Sequence, residues 1–282
     1  MTESLALLSE AEKLARVADE VGQTYATELA RVLRELERSL RQMALEALSG
    51  KQTALSRAVR AGKMRAQVKA ALKAAGYDSL AEQATGVGLD AMLVQVERLR
   101  GAARLAAFTS SDQSRILALK QLARMDVLGH GAEIAQTLWR TLMRGLFAQQ
   151  KPADLMHDLA ETLDVELYQA RTLYDTTVNV FARQVEAMKS REGDVFAFLG
   201  PADTKLRPFC HAHVGKVFTR EQIDALDNGQ VGNVFLTGGG YNCRHQFVAV
   251  SKVSELRNLA GTNQRIPEVD AQLGAVGGKK AA

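Results

Sequence analysis

Proline is almost missing from this chain: there are four in 282 residues, and none before Pro152. Proline inside a helix removes a hydrogen bond and clashes with the preceding turn, so here little but glycine and polar punctuation can end a helix in the first half. Aromatic residues are sparse at 5%, while Ala and Leu are plentiful. That balance favours long helices over strands. No run of eighteen apolar residues occurs, which excludes a membrane-spanning helix. The opening MTESLALLSEAEKL has early acidic residues and no basic segment. No secretory signal is therefore expected, and the chain is expected in reducing, cytoplasm-like conditions. A strong charge of one sign is also lacking. The net charge is +4, from 36 Lys and Arg against 32 Asp and Glu. The two signs are interspersed, which permits contact with nucleic acid without arguing for it. Apolar residues at 46% and charged residues at 24% are globular values, so wholesale disorder is excluded.

The segment from about Ser4 to Leu48 reads as one long helix. Its apolar stripe runs Ala18, Val21, Tyr25, Leu29, Val32, Leu36, Leu40, Met43 and Ala47. The steps of three and four sum to a repeat of eleven residues, about 3.67 per turn, so the stripe stays on one face. A helix of about 45 residues is near 65 Å long and needs other long helices to cover such a stripe. Ser49-Gly50 ends it. Further helices are expected at about 52–75, 78–100, 111–128 and 131–149. Gly76, Gly101 with FTSSD, and Gly129-His130-Gly131 separate them, and Thr109 to Asp112 offers N-caps. Pro152 suits the first turn of a short helix over 152–163, with Asp154 near its positive end. Asp164 then caps a helix running to about Ser190.

The texture changes after Gly193. DVFAFLG, GKVF and HQFVAV read as short strands among loops rich in glycine. The fold class expected is mainly α: a long-helix bundle followed by a small loop-rich α+β module. The domain plan is a bundle over 1–150, a helical connector over 151–192, the α+β module over 193–254, and a flexible or partner-bound tail over 255–282. A module this small needs a staple or a helical platform.

The staple has a candidate. The chain's two cysteines and three of its five histidines fall in RPFCHAHVGKVF and TGGGYNCRHQF. Cys210-x-x-His213 has the spacing of a zinc knuckle, and Cys243-x-His245 puts both side chains on one face of an extended segment. Four ligands, Cys210, His213, Cys243 and His245, suit a tetrahedral structural zinc closing the loop between them. His211 can substitute for His213. A Cys210–Cys243 disulfide and a metal-free pair of buried thiols with hydrogen-bonded histidines are the alternatives. Asp203, Glu221, Asp224 and Asp227 are the nearest carboxylates, and none has a hydrolase spacing. The triple glycine 238–240 lacks the lysine–hydroxyl pair of a phosphate loop and reads as a tight turn.

These segments together resemble the C-terminal module of the phage head morphogenesis family, the minor head proteins typified by the F protein of phage Mu. The pattern is carried by Asp203, Arg207, Cys210, Gly215, Lys216, Phe218, Asn242, Cys243 and Arg244. Many relatives show Cys-x-x-Cys first and Cys-Arg-Cys last, and here His213 and His245 stand in the second places. The histidine common before Asn-Cys-Arg is replaced by Gly240-Tyr241. Ala170-Arg171-Thr172 resembles part of the helix preceding the module. The resemblance covers about 164–250 and implies a structural role in a phage or prophage head.

What it implies further is a virion component at the head interior or portal vertex, made in host cytoplasm. Its partners would be the portal or major capsid protein, in multiple copies per particle, with packaged DNA as a further partner. No catalytic residue is assigned, and the chain is not expected to be an enzyme. The competing expectations are a zinc-stabilised DNA-binding protein and a metal-dependent hydrolase. For the former, Arg57, Arg60, Lys63, Arg65, Lys69 and Lys73 form the basic stripe.

Overall fold

The computed structural model describes residues 3–48, 54–191 and 193–250. The break at Ser49-Gly50, the side chains of Arg57 and Arg60, and the tail over 255–282 lie outside the described residues. Five helices come first: α1 (Glu3–Leu48), α2 (Ala54–Ala74), α3 (Tyr77–Ala102), α4 (Ser110–Phe147) and α5 (Pro152–Ala187). Among the described residues no strand precedes Gly193. No described helix is long and apolar enough to cross a membrane. The eleven-residue repeat of α1 is written in its burial. Leu7, Ala18, Leu29 and Leu40 are buried at that spacing, and so are Leu14, Tyr25, Leu36 and Ala47. Eleven residues make almost a whole number of turns, so each set returns to the same face. Val21 and Met43, at the edge of the stripe, are half-buried.

Two expected helix ends are absent. The segments 111–128 and 131–149 form one helix of 38 residues, passing straight through Gly129-His130-Gly131. Gly131 is there for packing: a Cβ on it would lie 2.4 Å from a ring carbon of Tyr77. The Tyr77 hydroxyl donates to the Val127 carbonyl at 2.8 Å. Each mid-helix glycine costs only about 1 kcal/mol in propensity, and the close approach of a buried tyrosine outweighs that. Likewise 152–163 and the helix after Asp164 are one element of 36 residues. Leu155, Leu159, Leu163, Ala170, Tyr174, Val178 and Phe181 keep its buried face continuous, so Asp164 has no helix start to cap.

The chain groups into two compact units that are not sequential segments. Among the described residues, one takes in 21–48, 54–86 and 122–174, the other 3–20, 87–121, 175–191 and 193–250. In the first, Tyr25 stacks on Tyr174 with ring centroids 4.2 Å apart. Arg65 lies over the ring of Trp139. In the second, Arg100 and Glu186 form a buried ion pair at 2.8 Å. Thr109 starts α4, its backbone N–H donating to Asp112 at 2.7 Å, and Lys189 donates to the same carboxylate at 2.6 Å. These bonds hold the Asp112 carboxyl well below its usual range, Lys189 most of all.

The α+β module belongs to the second unit. It comprises β1 (Val195–Leu199), α6 (Pro208–His213), β2 (Val217–Thr219), α7 (Arg220–Asp224), α8 (Val234–Thr237) and β3 (Gln246–Val250). The strands form an antiparallel sheet in the order β2-β1-β3. β1 is central, pairing Phe196 with Phe218 on one side and Phe198 with Phe247 on the other. Phe196, Phe198, Phe235 and Phe247 fill the module's core beside Cys210 and Cys243.

Candidate metal centre

Cys210 and Cys243 are buried at 2% and 3% exposure, and each is delivered by a short, strongly constrained segment. Pro208 opens α6 at its first turn, where its missing N–H costs nothing. Cys210 follows two residues later. Gly215, in a left-handed conformation with φ 80°, turns the chain back so that its N–H donates to the Phe198 carbonyl at 2.8 Å. Cys243 arrives through the triple glycine. Gly238 and Gly240 have φ of 58° and 95°, values that other residues rarely adopt. A Cβ on Gly239 would lie 2.4 Å from the Cys210 sulfur, and one on Gly238 would lie 2.8 Å from the Cys243 sulfur. The glycines let backbone pack directly over both sulfurs. Asn242 then anchors the turn to α5, its N–H donating to Thr176 Oγ1 at 3.1 Å.

The result is a tight cluster. The two sulfurs are 3.7 Å apart as free thiols, and His245 Nδ1 lies 3.9 Å from the Cys243 sulfur. All three ligand atoms fall within 4.8 Å of one another. Two thiolates on one tetrahedral zinc, each about 2.3 Å from the ion, would be about 3.8 Å apart. The sulfur separation therefore needs no adjustment. The His245 ring stacks on Phe198 at 5.1 Å, and its Nε2 is buried without a hydrogen-bond partner. Two buried thiols and an imidazole this close together are a soft donor set that fits an ion, and Cys210, Cys243 and His245 can hold one. The hydrogen bond with Cys210, then Arg183 and His245, hold the Cys243 thiol well below its usual range. The same sulfur–sulfur bond and burial push Cys210 up.

His213 does not join them. The knuckle spacing presumes a turn, but this segment is helical, and His213 Nδ1 faces the Phe209 carbonyl one turn back at 2.6 Å. Its ring lies between Phe209 and Phe218, at 4.3 and 5.7 Å. His211 is exposed. Among the described residues no carboxylate belongs to the cluster.

Arg183 is the residue that sequence reading missed. It is buried on α5, and its Nε and Nη1 donate to the carbonyls of His245 and Leu236 at 2.9 and 3.0 Å. Its Nη2 donates to the Cys243 carbonyl. One guanidinium thus fixes the backbone of two of the three ligands. The available signal was its position beside the buried Phe181, Ala182 and Val185. Arg207 and Arg244 bond to groups other than the three ligand side chains. Arg207 Nη1 donates to the Gly239 carbonyl at 3.3 Å. Arg244 grips Asp203 with two bonds of 2.7 and 2.9 Å and reaches Asp19 at 3.2 Å. That grip is the main cause holding the Asp203 carboxyl below its usual range.

No protein-family model, no curated protein and no solved structure matches this chain.

Proposed function

We propose that this chain is a structural, non-enzymatic minor head protein of a tailed phage or prophage, acting at the portal during head assembly. The observation that carries the reading is how the motif residues are used. Asp203 pairs with Arg244, Cys210 meets Cys243, Gly215 makes the turn into β2, and Asn242 ties the turn to α5. These contacts tie the segments of the module to one another and to α5, the use that a structural motif makes of its residues. Long helices with buried stripes make up most of the rest of the described chain. The partners proposed are the portal and major capsid proteins, with packaged DNA nearby, and the location is the head interior or portal vertex. Cross-linking within purified particles tests this. Portal or capsid peptides linked to this chain support it, and links only to host enzymes would sink it.

Zinc is the ion proposed for Cys210, Cys243 and His245, as a structural staple. It would supply cross-linking between α6 and the segment entering β3, at about 2.3 Å to sulfur and 2.0–2.1 Å to nitrogen. Elemental analysis of protein purified without chelator tests it, with about one zinc per chain expected and none detectable contradicting it.

A second reading, a zinc-stabilised DNA-binding protein, draws on one observation. Lys63, Arg65, Lys69 and Lys73 of α2 are all exposed. Under that reading affinity for duplex DNA falls steeply with salt, because phosphate contacts release counterions. A flat salt dependence favours the head-protein reading.

A further inference from the structure

We infer that Cys210 and Cys243 are a redox-closed pair, converted by a small peroxide into an intramolecular disulfide whenever no metal ion occupies their sulfurs. This deepens the metal reading of the same site and rests on it only for the competition between ion and oxidant. The juxtaposition is direct: the sulfurs are 3.7 Å apart with both thiols free. They are also the only two cysteines in the chain, so within one molecule each has a single possible partner. Bond formation at about 2.05 Å requires the sulfurs to close by less than about 2 Å, within reach of side-chain rotation. The backbone on either side is already held. Cys210 sits in α6, while Arg183 and Asn242 fix the turn that carries Cys243. The pair is not separated by another group, since Gly238 and Gly239 pack over the sulfurs from outside.

The chemistry balances without any further reactant. One sulfur attacks a peroxide oxygen, the O–O bond breaks, and a sulfenic acid and one water form. The second sulfur then attacks the first, the S–O bond breaks, and the oxygen leaves as a second water. Two thiols lose two electrons and two protons, and the peroxide is reduced to two waters. Burial of both thiols selects the oxidant: a neutral peroxide of near-water size can enter through brief local openings, whereas glutathione disulfide is too bulky. An ion held by both sulfurs blocks the first attack, so the metal-bound and disulfide forms exclude each other.

The test uses the full chain, purified under reductant, stripped with EDTA, desalted and treated with stoichiometric hydrogen peroxide. The expected product is a monomer lighter by about 2 Da with a Cys210–Cys243 cross-linked peptide, reversed by dithiothreitol. Closing this loop should raise the Tm by roughly 5 °C or more over the reduced, metal-free form. Zinc-loaded protein should oxidise at least about tenfold more slowly. Thiols that stay alkylatable, products stalled as sulfenic or sulfinic acids, or disulfide-linked dimers would each overturn the inference. An intramolecular disulfide that forms equally fast with and without zinc would support the pair and sink the metal reading instead. Neither result depends on finding the chain in particles.

Discussion

Arg183 carries a positive charge into the interior of the module's unit and meets it with three carbonyl oxygens rather than a carboxylate. Burial pulls its pKa down, opposed by the neighbouring sulfurs. Removing the guanidinium leaves those carbonyls unpaired, each worth about 1–3 kcal/mol when buried, partly offset by no longer burying a charge. Arg183→Met should therefore destabilise the protein by about 2–4 kcal/mol in a denaturant titration, and unchanged stability would refute the clamp. Asp203 makes a different residue-scale prediction. Its folded pKa lies below the ordinary value because Arg244 donates to it. The sign follows from linkage: the contribution is present above about pH 4 and is lost as pH falls through the folded value. The Asp203 carboxyl resonance should titrate below the normal aspartate range. In Arg244→Gln it should return to that range, and an identical midpoint in both proteins would contradict the pairing.

At the scale of elements, glycines 129 and 131 of α4 look alike in sequence and differ in surroundings. A Cβ at Gly129 meets nothing within 4 Å, whereas at Gly131 it runs into the Tyr77 ring. Gly129→Ala should stabilise by about 0.5–1 kcal/mol through helix propensity. Gly131→Ala should destabilise by about 1–3 kcal/mol through overpacking. Equal melting shifts for the two would refute the account of why α4 continues. This pair also marks what sequence could and could not disclose. The repeat of α1 was legible because eleven-residue periodicity is a local property, and the strands were legible from alternation beside Gly and Pro. The continuity of α4 through Gly129 and Gly131 was not, because the reason for Gly131 is a tyrosine about fifty residues away. The convergence of Cys210 with Cys243 could be read from two ligand-rich segments, and the triple glycine indicated close approach. His213 was misassigned because the same Cys-x-x-His spacing serves a knuckle turn or a helix, and here the helix turns the imidazole to its own Phe209 carbonyl. Arg183 was hidden because an arginine on an apolar face looks like any surface cation until its carbonyl partners are known.

For the molecule as a whole, the staple and the helical body make separable claims. Chelation should increase hydrogen exchange across residues 194–250 while the helices over 21–48 and 122–174 keep their protection, since the ligands all lie in the module. Uniform loosening of the entire chain would contradict a local staple. The role proposed for this chain lies in a particle rather than in a reaction. The most direct measurement is quantitative mass spectrometry of this chain across a density gradient that separates phage heads or procapsids from free protein. The account predicts that the chain sediments with the particles, at far fewer copies than the major capsid protein and in fixed ratio to the portal. A chain found entirely in the free fraction, with none in heads or procapsids, would contradict it.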